Sequence, residues 1–280
     1  MSRLVIEADH AESAYWSDLW RYRELFFFLS WRDILVRYKQ TVIGVLWAVL
    51  RPLLTIAVFT VLFSKIAGMG SAGLPPPVFI CAGTLPWQFF ATAMSESSNS
   101  LITNANMLSK IYFPRLIIPA SAVIVSLVDL LISLVILAGL MAWYHVSPTW
   151  RLLALPLFTA LGLFAALGVG FWLSALNVKY RDFRYVIPFI VQFGFFLSPV
   201  GYGRDEILRR MGGTCLGQTI YQLYPFNPMV GVIDGFRWAV GSHAAFDWNS
   251  VSISILVTAL ILFLGLRYFR ATEEYFADII

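Results

Sequence analysis

Residues 25–52 read LFFFLSWRDILVRYKQTVIGVLWAVLRP, a charged amphipathic run that passes directly into an apolar one. At helical spacing Phe27, Phe28, Trp31, Ile34, Leu35 and Tyr38 share one face. Ser30, Arg32, Asp33, Arg37, Lys39 and Gln40 take most of the other. Aromatic bulk opposite cationic heads suits the plane of a membrane interface, with the basic side meeting lipid phosphates. Residues 20–40 therefore read as an interfacial helix that launches a first span. The alternative, an amphipathic helix packed on a soluble core, conflicts with the rest of the chain.

Of 280 residues, 59% are hydrophobic and only 13% charged, with mean hydropathy +0.74; soluble domains carry about a quarter charged residues. In lipid every exposed peptide group must be satisfied internally, which leaves helices or a closed barrel. Barrel strands alternate over about ten residues, whereas the apolar runs here are longer and continuous. The expected fold is an all-α integral membrane protein. It has six transmembrane helices, an N-terminal amphipathic interfacial helix and short re-entrant helices before the last span. The spans are read at 41–66, 78–93, 116–144, 152–176, 185–200 and 251–269. They divide the chain into a cytoplasmic N-terminal segment 1–40, a six-span domain 41–270 and a cytoplasmic tail 271–280.

Several details qualify that reading. Span two runs on into Met94-Ser95-Glu96-Ser97-Ser98-Asn99-Ser100, whose polar groups, if helical, must face protein or a water-filled cavity. Span four carries Gly162, Gly168 and Gly170, which allow helix backbones to approach closely. Span five is shorter than the ~20 residues of a full crossing. Residues 201–248 are too polar to span and too apolar for a free loop, and short helices are expected at 206–211 and 228–240. Short connections on one side hold Lys110, Arg115, Lys179, Arg181 and Arg184, against Lys65 and Arg151 on the other. Both termini are thus expected in the cytoplasm.

Other classes find little support. No basic block interleaved with aromatics indicates nucleic acid, and Cys81 and Cys215 lack metal-ligand or CxxC spacing. No signal peptide is expected at the N-terminus. A membrane enzyme acting on polyprenyl phosphates would need clustered acids at one membrane face, yet Glu96, Asp129, Asp182 and Asp234 fall in different segments. A secondary transporter would be expected to show internal repeats, and none is found.

Five motifs stand in order: RYKQT-x-x-G-x-x-W-x-x-x-x-P (37–52), KIYFPR (110–115), ALNVKYRD (175–182), LSPVGY (197–202) and YPFNP (224–228). Together, over residues 25–269, they resemble the transmembrane permease subunit of bacterial polysaccharide-export ABC transporters. This is the type-2 exporter class that moves O-antigen, capsular polysaccharide or teichoic acid. The resemblance implies a homodimeric permease in the bacterial plasma (inner) membrane, with two copies of a separate nucleotide-binding ATPase, exporting a lipid-linked glycan. Within the same class a permease for a drug or another lipid is the alternative. The chain contains no G-x-x-x-x-G-K-[ST] loop, so ATP and Mg²⁺ are expected on the partner ATPase. This chain is expected to act as a transport subunit without enzymatic activity, cofactor or metal of its own.

In the family the connection between spans two and three docks on the ATPase. Here that maps to 104–113, expected as a helix ended by Pro114. Asn104, Asn106 and Ser109 would cap or hydrogen-bond, Lys110 would supply charge, and Met107, Leu108, Ile111 and Tyr112 a contact face. Arg181 and Asp182 mark a second cytoplasmic contact, expected as a salt-bridge network with Arg184.

Aromatics make up 16% of the chain, and ring faces can stack on sugars without fixing one hydroxyl pattern. The candidate channel rings are Trp47, Trp87, Phe90, Phe193 and Phe196. Arg51, inside span one, is the candidate for holding an anionic group such as a pyrophosphate, since mid-membrane charge costs at least ~2.5–3.5 kcal/mol. Asp129 is expected to pair with a basic or hydroxyl group between helices. Residues 201–248 resemble the family's outward closing helices, with Tyr202, Asn227 and Pro228 at the gate and Asn227 capping the second helix.

Overall fold

The computed structural model describes residues 12–39, 44–108, 110–180, 182–241 and 246–276. Among them all regular structure is helical. In chain order the helices are α1 (Glu12–Arg21), α2 (Arg23–Lys39), α3 (Gly44–Phe59), α4 (Pro76–Thr103), α5 (Ala105–Leu108) and α6 (Ile117–Trp143). They continue with α7 (Leu155–Lys179), α8 (Phe183–Leu197), α9 (Arg204–Met211), α10 (Cys215–Leu223), α11 (Pro228–Val240) and α12 (Trp248–Glu273).

Helix α4 is the axis of the fold. Pro76 and Pro77 start it, where the missing amide donors cost nothing. It packs on α6, α7 and α11. In its most apolar window 83% of residues are buried, against 11% in that of the stretch Leu46–Ile66. The polar run 94–100 stays helical, with Ser97, Ser98 and Ser100 buried against protein. Asn177 of α7 donates to the Ser98 carbonyl at 3.0 Å and to Asn99 Oδ1 at 3.1 Å.

Among the described residues five helical stretches are long and apolar enough to cross a membrane: Leu46–Ile66, Pro76–Thr103, Ile117–Trp143, Trp150–Lys179 and Trp248–Glu273. The expected fifth span is the 15-residue α8, shorter than a full crossing. The first stretch changes geometry midway. After Phe59 the chain runs as a π-helix over Thr60–Ile66, with Ala67 N donating to Leu62 O at 2.9 Å.

Glycine decides how α7 meets α12. A Cβ on Gly168 would lie 2.7 Å from Leu262 N, and one on Gly265 would collide with the Gly168 carbonyl oxygen. The two helices therefore cross backbone against backbone. Gly170 similarly sits on Ser97 of α4.

The segment 201–248 departs from expectation by one element. Helices α9 and α11 form, and α10 lies between them. Gly212, Gly213 and Gly217 obscured α10 in the sequence by lowering its helix signal. Helix α11 is buried around most of its circumference among α4, α7 and α12, as a helix apolar on nearly all sides must be.

The interfacial helix requires two corrections. It is two helices, α1 and α2, breaking at Tyr22, and the polar face of α2 meets protein where lipid phosphates were expected. Phe27, Phe28 and Trp31 are exposed, while Leu29 and Ser30 are buried and Asp33 and Arg37 half-buried. The polar stripe packs on α6, so Arg37 meets protein carboxylates instead of lipid phosphates. Gln40 lies outside the described residues. The end of the bundle near the chain termini has its own apolar cluster, in which Leu29, Leu101, Leu108, Phe113, Phe171, Phe269 and Phe276 pack together.

Candidate functional site

A cavity of about 590 Å³ opens between α2, α3, α4, α6 and α8. Trp47, Phe59, Trp87, Phe195 and Phe196 form its aromatic wall. Phe59 and Phe195 stack at 4.9 Å between centroids, and Trp87 meets Phe195 edge-on at 6.4 Å. Gly194 makes room for Trp87, since a Cβ there would lie 2.6 Å from the indole Cη2. Polar groups interrupt the rings: Thr55, Gln88, Thr92, Ser126, Ser133 and Gln192.

Arg37, Arg51 and Asp129 bring charge to the same cavity. Arg37 Nη2 lies 2.8 Å from Asp129 Oδ2, and its Nη1 lies 3.4 Å from Glu96 Oε1. The Tyr38 hydroxyl donates to Asp129 Oδ1. The expected partner of Asp129 is thus double, a guanidinium and a phenol, both from α2. Arg51 is exposed, and among the described residues its guanidinium has no hydrogen-bond or ion-pair partner.

Four of the six sequence-named channel residues, Trp47, Arg51, Trp87 and Phe196, line this cavity. Phe90 does not; it is buried behind Trp87, with ring centroids 5.6 Å apart. Phe193 does not either, and is 51% exposed on another face of α8, beside Phe189 at 4.1 Å. The overlooked lining groups carry a periodic signal. Trp47, Arg51 and Thr55 are spaced i, i+4, i+8, Gln88 and Thr92 i, i+4, and Ser126, Asp129 and Ser133 i, i+3, i+7. Each set is one helix face.

The connection between α4 and α6 is not one helix. Among its described residues only Ala105–Leu108 is helical, and the Lys110 and Ile111 amides both donate to the Met107 carbonyl before the chain reaches Pro114. Leu108 is buried and Met107 packs against the same apolar cluster, so both anchor the connection instead of forming its contact face. The exposed surface is Asn106, Lys110, Ile111 and Tyr112. Asn104 accepts from Arg32 Nη2 at 2.9 Å. Ser109 and Arg181 lie outside the described residues; Asp182 is exposed at the start of α8.

Behind this connection Glu273 joins three segments. Its Oε2 accepts from the Tyr15 hydroxyl at 2.9 Å and its Oε1 from the Arg115 amide at 2.8 Å. Its backbone carbonyl accepts from the Arg115 guanidinium. Burial and then the Glu273 carboxylate push the Tyr15 phenol far above its ordinary range.

At the opposite end the Tyr202 and Tyr224 hydroxyls meet at 2.6 Å. Asn227 caps α11 as expected, accepting from Met229 N at 3.0 Å, and donates to Ser198 Oγ at 2.9 Å. Pro228 opens that helix. Arg237, 3% exposed and not singled out by sequence reasoning, donates to Val200 O at 2.8 Å and Tyr202 O at 2.9 Å over the Phe79 ring. On α9, burial would raise the Glu206 carboxyl, but hydrogen bonds and charge from Arg209 and Arg210 outweigh it and hold the group below the usual glutamate range.

The family model of the ABC-2 type transporter matches residues 24–240. An O-antigen export system permease protein, RfbA of Myxococcus xanthus, is 26% identical over 265 residues, covering 93% of this chain and 97% of its own. RfbA of Klebsiella pneumoniae is 25% identical over 250 residues, 89% of this chain and 92% of its own. KpsM of Escherichia coli, a polysialic acid transport protein, is 23% identical over 248 residues, 87% and 91% respectively.

Proposed function

The chain belongs to the ABC-2 type transporter family, and with that as premise we infer that it is the permease subunit of an ABC transporter that exports polysaccharide. Relatives matched over nearly their whole length, named for O-antigen export and polysialic acid transport, support this reading. We further propose that it works as a homodimer in the bacterial plasma membrane with both termini in the cytoplasm. Two ATPase subunits carrying ATP and Mg²⁺ would drive it, and its cargo would be a lipid-linked glycan.

The observation that carries the cargo assignment is the cavity itself. Stacked rings beside amides and hydroxyls suit a sugar chain, which offers apolar C–H faces and many hydroxyls and must slide without being held tightly. Arg51 adds a guanidinium fork of the kind that holds phosphate oxygens. In this reading Arg51 meets the anionic lipid-phosphate end while the rings receive the first sugars. ATPase movement enters through Lys110, Ile111 and Tyr112, with Asp182 at a second contact. Segments around Tyr202 and Asn227 close the outward side. A drug or simple lipid permease would have less use for Gln88 and Gln192 in the wall.

The test is Arg51→Gln in proteoliposomes containing the permease and its ATPase. Export of lipid-linked glycan is expected to fall about tenfold or more, since a charge-assisted contact is worth roughly 1.5–3 kcal/mol. Assembly with the ATPase should be unchanged. Equal export and equal binding of lipid-linked substrate would remove Arg51 from the site.

A further inference from the structure

Both ends of the exposed connection are tied to the N-terminal pair of helices. At its start Asn104 accepts from Arg32 of α2. At its end the Arg115 amide and guanidinium bind Glu273 of α12, whose other carboxylate oxygen holds Tyr15 of α1. Arg270, one turn earlier on α12, lies over the Tyr15 ring at 4.4 Å. Further along α2, Arg37 and Tyr38 hold Asp129 in the cavity. The tip at Lys110, Ile111 and Tyr112 touches none of these ties and is left exposed.

We propose that Glu273 is a positioning residue for energy coupling: by fastening the Arg115 end of the connection to α1, it makes displacement of the tip carry α1 and α2 with it. This rests on the reading that the ATPase pushes at 110–112. Without Glu273 the tip can still dock, because its own side chains are intact. The push is then partly absorbed at the Arg115 end, which keeps its packing through Leu108 and Phe113 but has lost its carboxylate tie to α1, and less of it reaches Arg37 and Asp129. A carboxylate suits this place because its two oxygens serve donors from two different segments at once. Glutamine keeps an oxygen for the Arg115 amide, and its NH₂ can donate to the Tyr15 oxygen, so shape and connectivity survive loss of charge.

The experiment uses the complex of this chain with its ATPase in proteoliposomes, measuring ATP hydrolysis and glycan export together. For Glu273→Ala the complex is expected to form, the ATPase to keep its KM for ATP, and export per ATP to fall about tenfold. Glu273→Gln is expected to restore the ratio to within about threefold of wild type. A wild-type ratio in Glu273→Ala overturns the proposal. So does an equal loss in Glu273→Gln, which would assign the effect to charge and not to the tie. Should Glu273→Ala not fold, Tyr15→Phe removes one hydroxyl only. It is expected to lower the ratio about threefold, and an unchanged ratio there overturns the proposal too. The coupling reading is tested separately by Lys110→Glu/Tyr112→Ala. If that pair leaves assembly and export intact, the docking site is wrong, whatever Glu273 does.

Discussion

Arg237→Leu is expected to destabilise the protein by about 3 kcal/mol, since each buried acceptor left without a donor costs roughly 1–3 kcal/mol. Two such acceptors, the Val200 and Tyr202 carbonyls, depend on this guanidinium. Leucine fills part of the space over Phe79 but offers neither carbonyl a donor. Asp234, whose carboxylate lies 4.0 Å from Arg237, loses its counter-charge as well. Arg237→Lys should recover only part of the loss, because one ammonium on a flexible stem cannot reproduce a two-pronged fork. The turn from α8 to α9 should loosen first, exposing residues 198–203 to proteolysis. Thermal unfolding of detergent-solubilised protein checks this: a midpoint for Arg237→Leu equal to wild type would show that the turn is held by something else.

Gly168→Val carries the second large effect. Its Cβ would sit 2.7 Å from Leu262 N and 2.8 Å from Leu262 Cα. These are backbone atoms of α12 and cannot rotate away, so α7 and α12 must separate. Overpacking of this kind costs about 1–3 kcal/mol. The loss of close contact along Gly168 and Gly265 should add to it. The control is Gly139→Val on α6, where a Cβ meets nothing within 4 Å and the change should stay within about 0.5 kcal/mol. Yield of monodisperse protein and thermal unfolding would separate the two. Equal behaviour would mean the α7–α12 crossing tolerates a wider gap than its geometry allows.

What the sequence made legible has a common character: signals within one helix. Apolar runs located the spanning helices. Gly168 and Gly170 marked faces of close approach, and Asn227 before Pro228 marked a helix start. Asp129, a charge in an apolar run, required a partner and has two.

Features that depend on distant segments were not legible. The amphipathic pattern of α2 showed two faces but not which medium each meets. Its carboxylate partner Glu96 is 59 residues away, and Asp129 lies on another helix again. Arg237, on the expected helix 228–240, could not be singled out because its acceptors are backbone carbonyls, which carry no sequence signature. Leu108 and Ile111 look alike in the sequence, and only the packing of Leu108 against Phe113 and its neighbours separates anchor from surface. The cavity was half legible for the same reason. Trp47 and Arg51 share a face of α3 with Thr55, but assembling five helices around one space is a tertiary result.

The central claim is division of labour: this chain conducts a glycan, and a separate ATPase supplies the energy. The most direct measurement is transfer of a lipid-linked glycan across proteoliposomes holding this chain alone, with its ATPase, or with an ATPase unable to hydrolyse ATP. Transfer that requires both subunits and hydrolysis is the predicted result. Transfer by this chain alone, or chemical conversion of the lipid phosphate by the purified chain, would contradict the account.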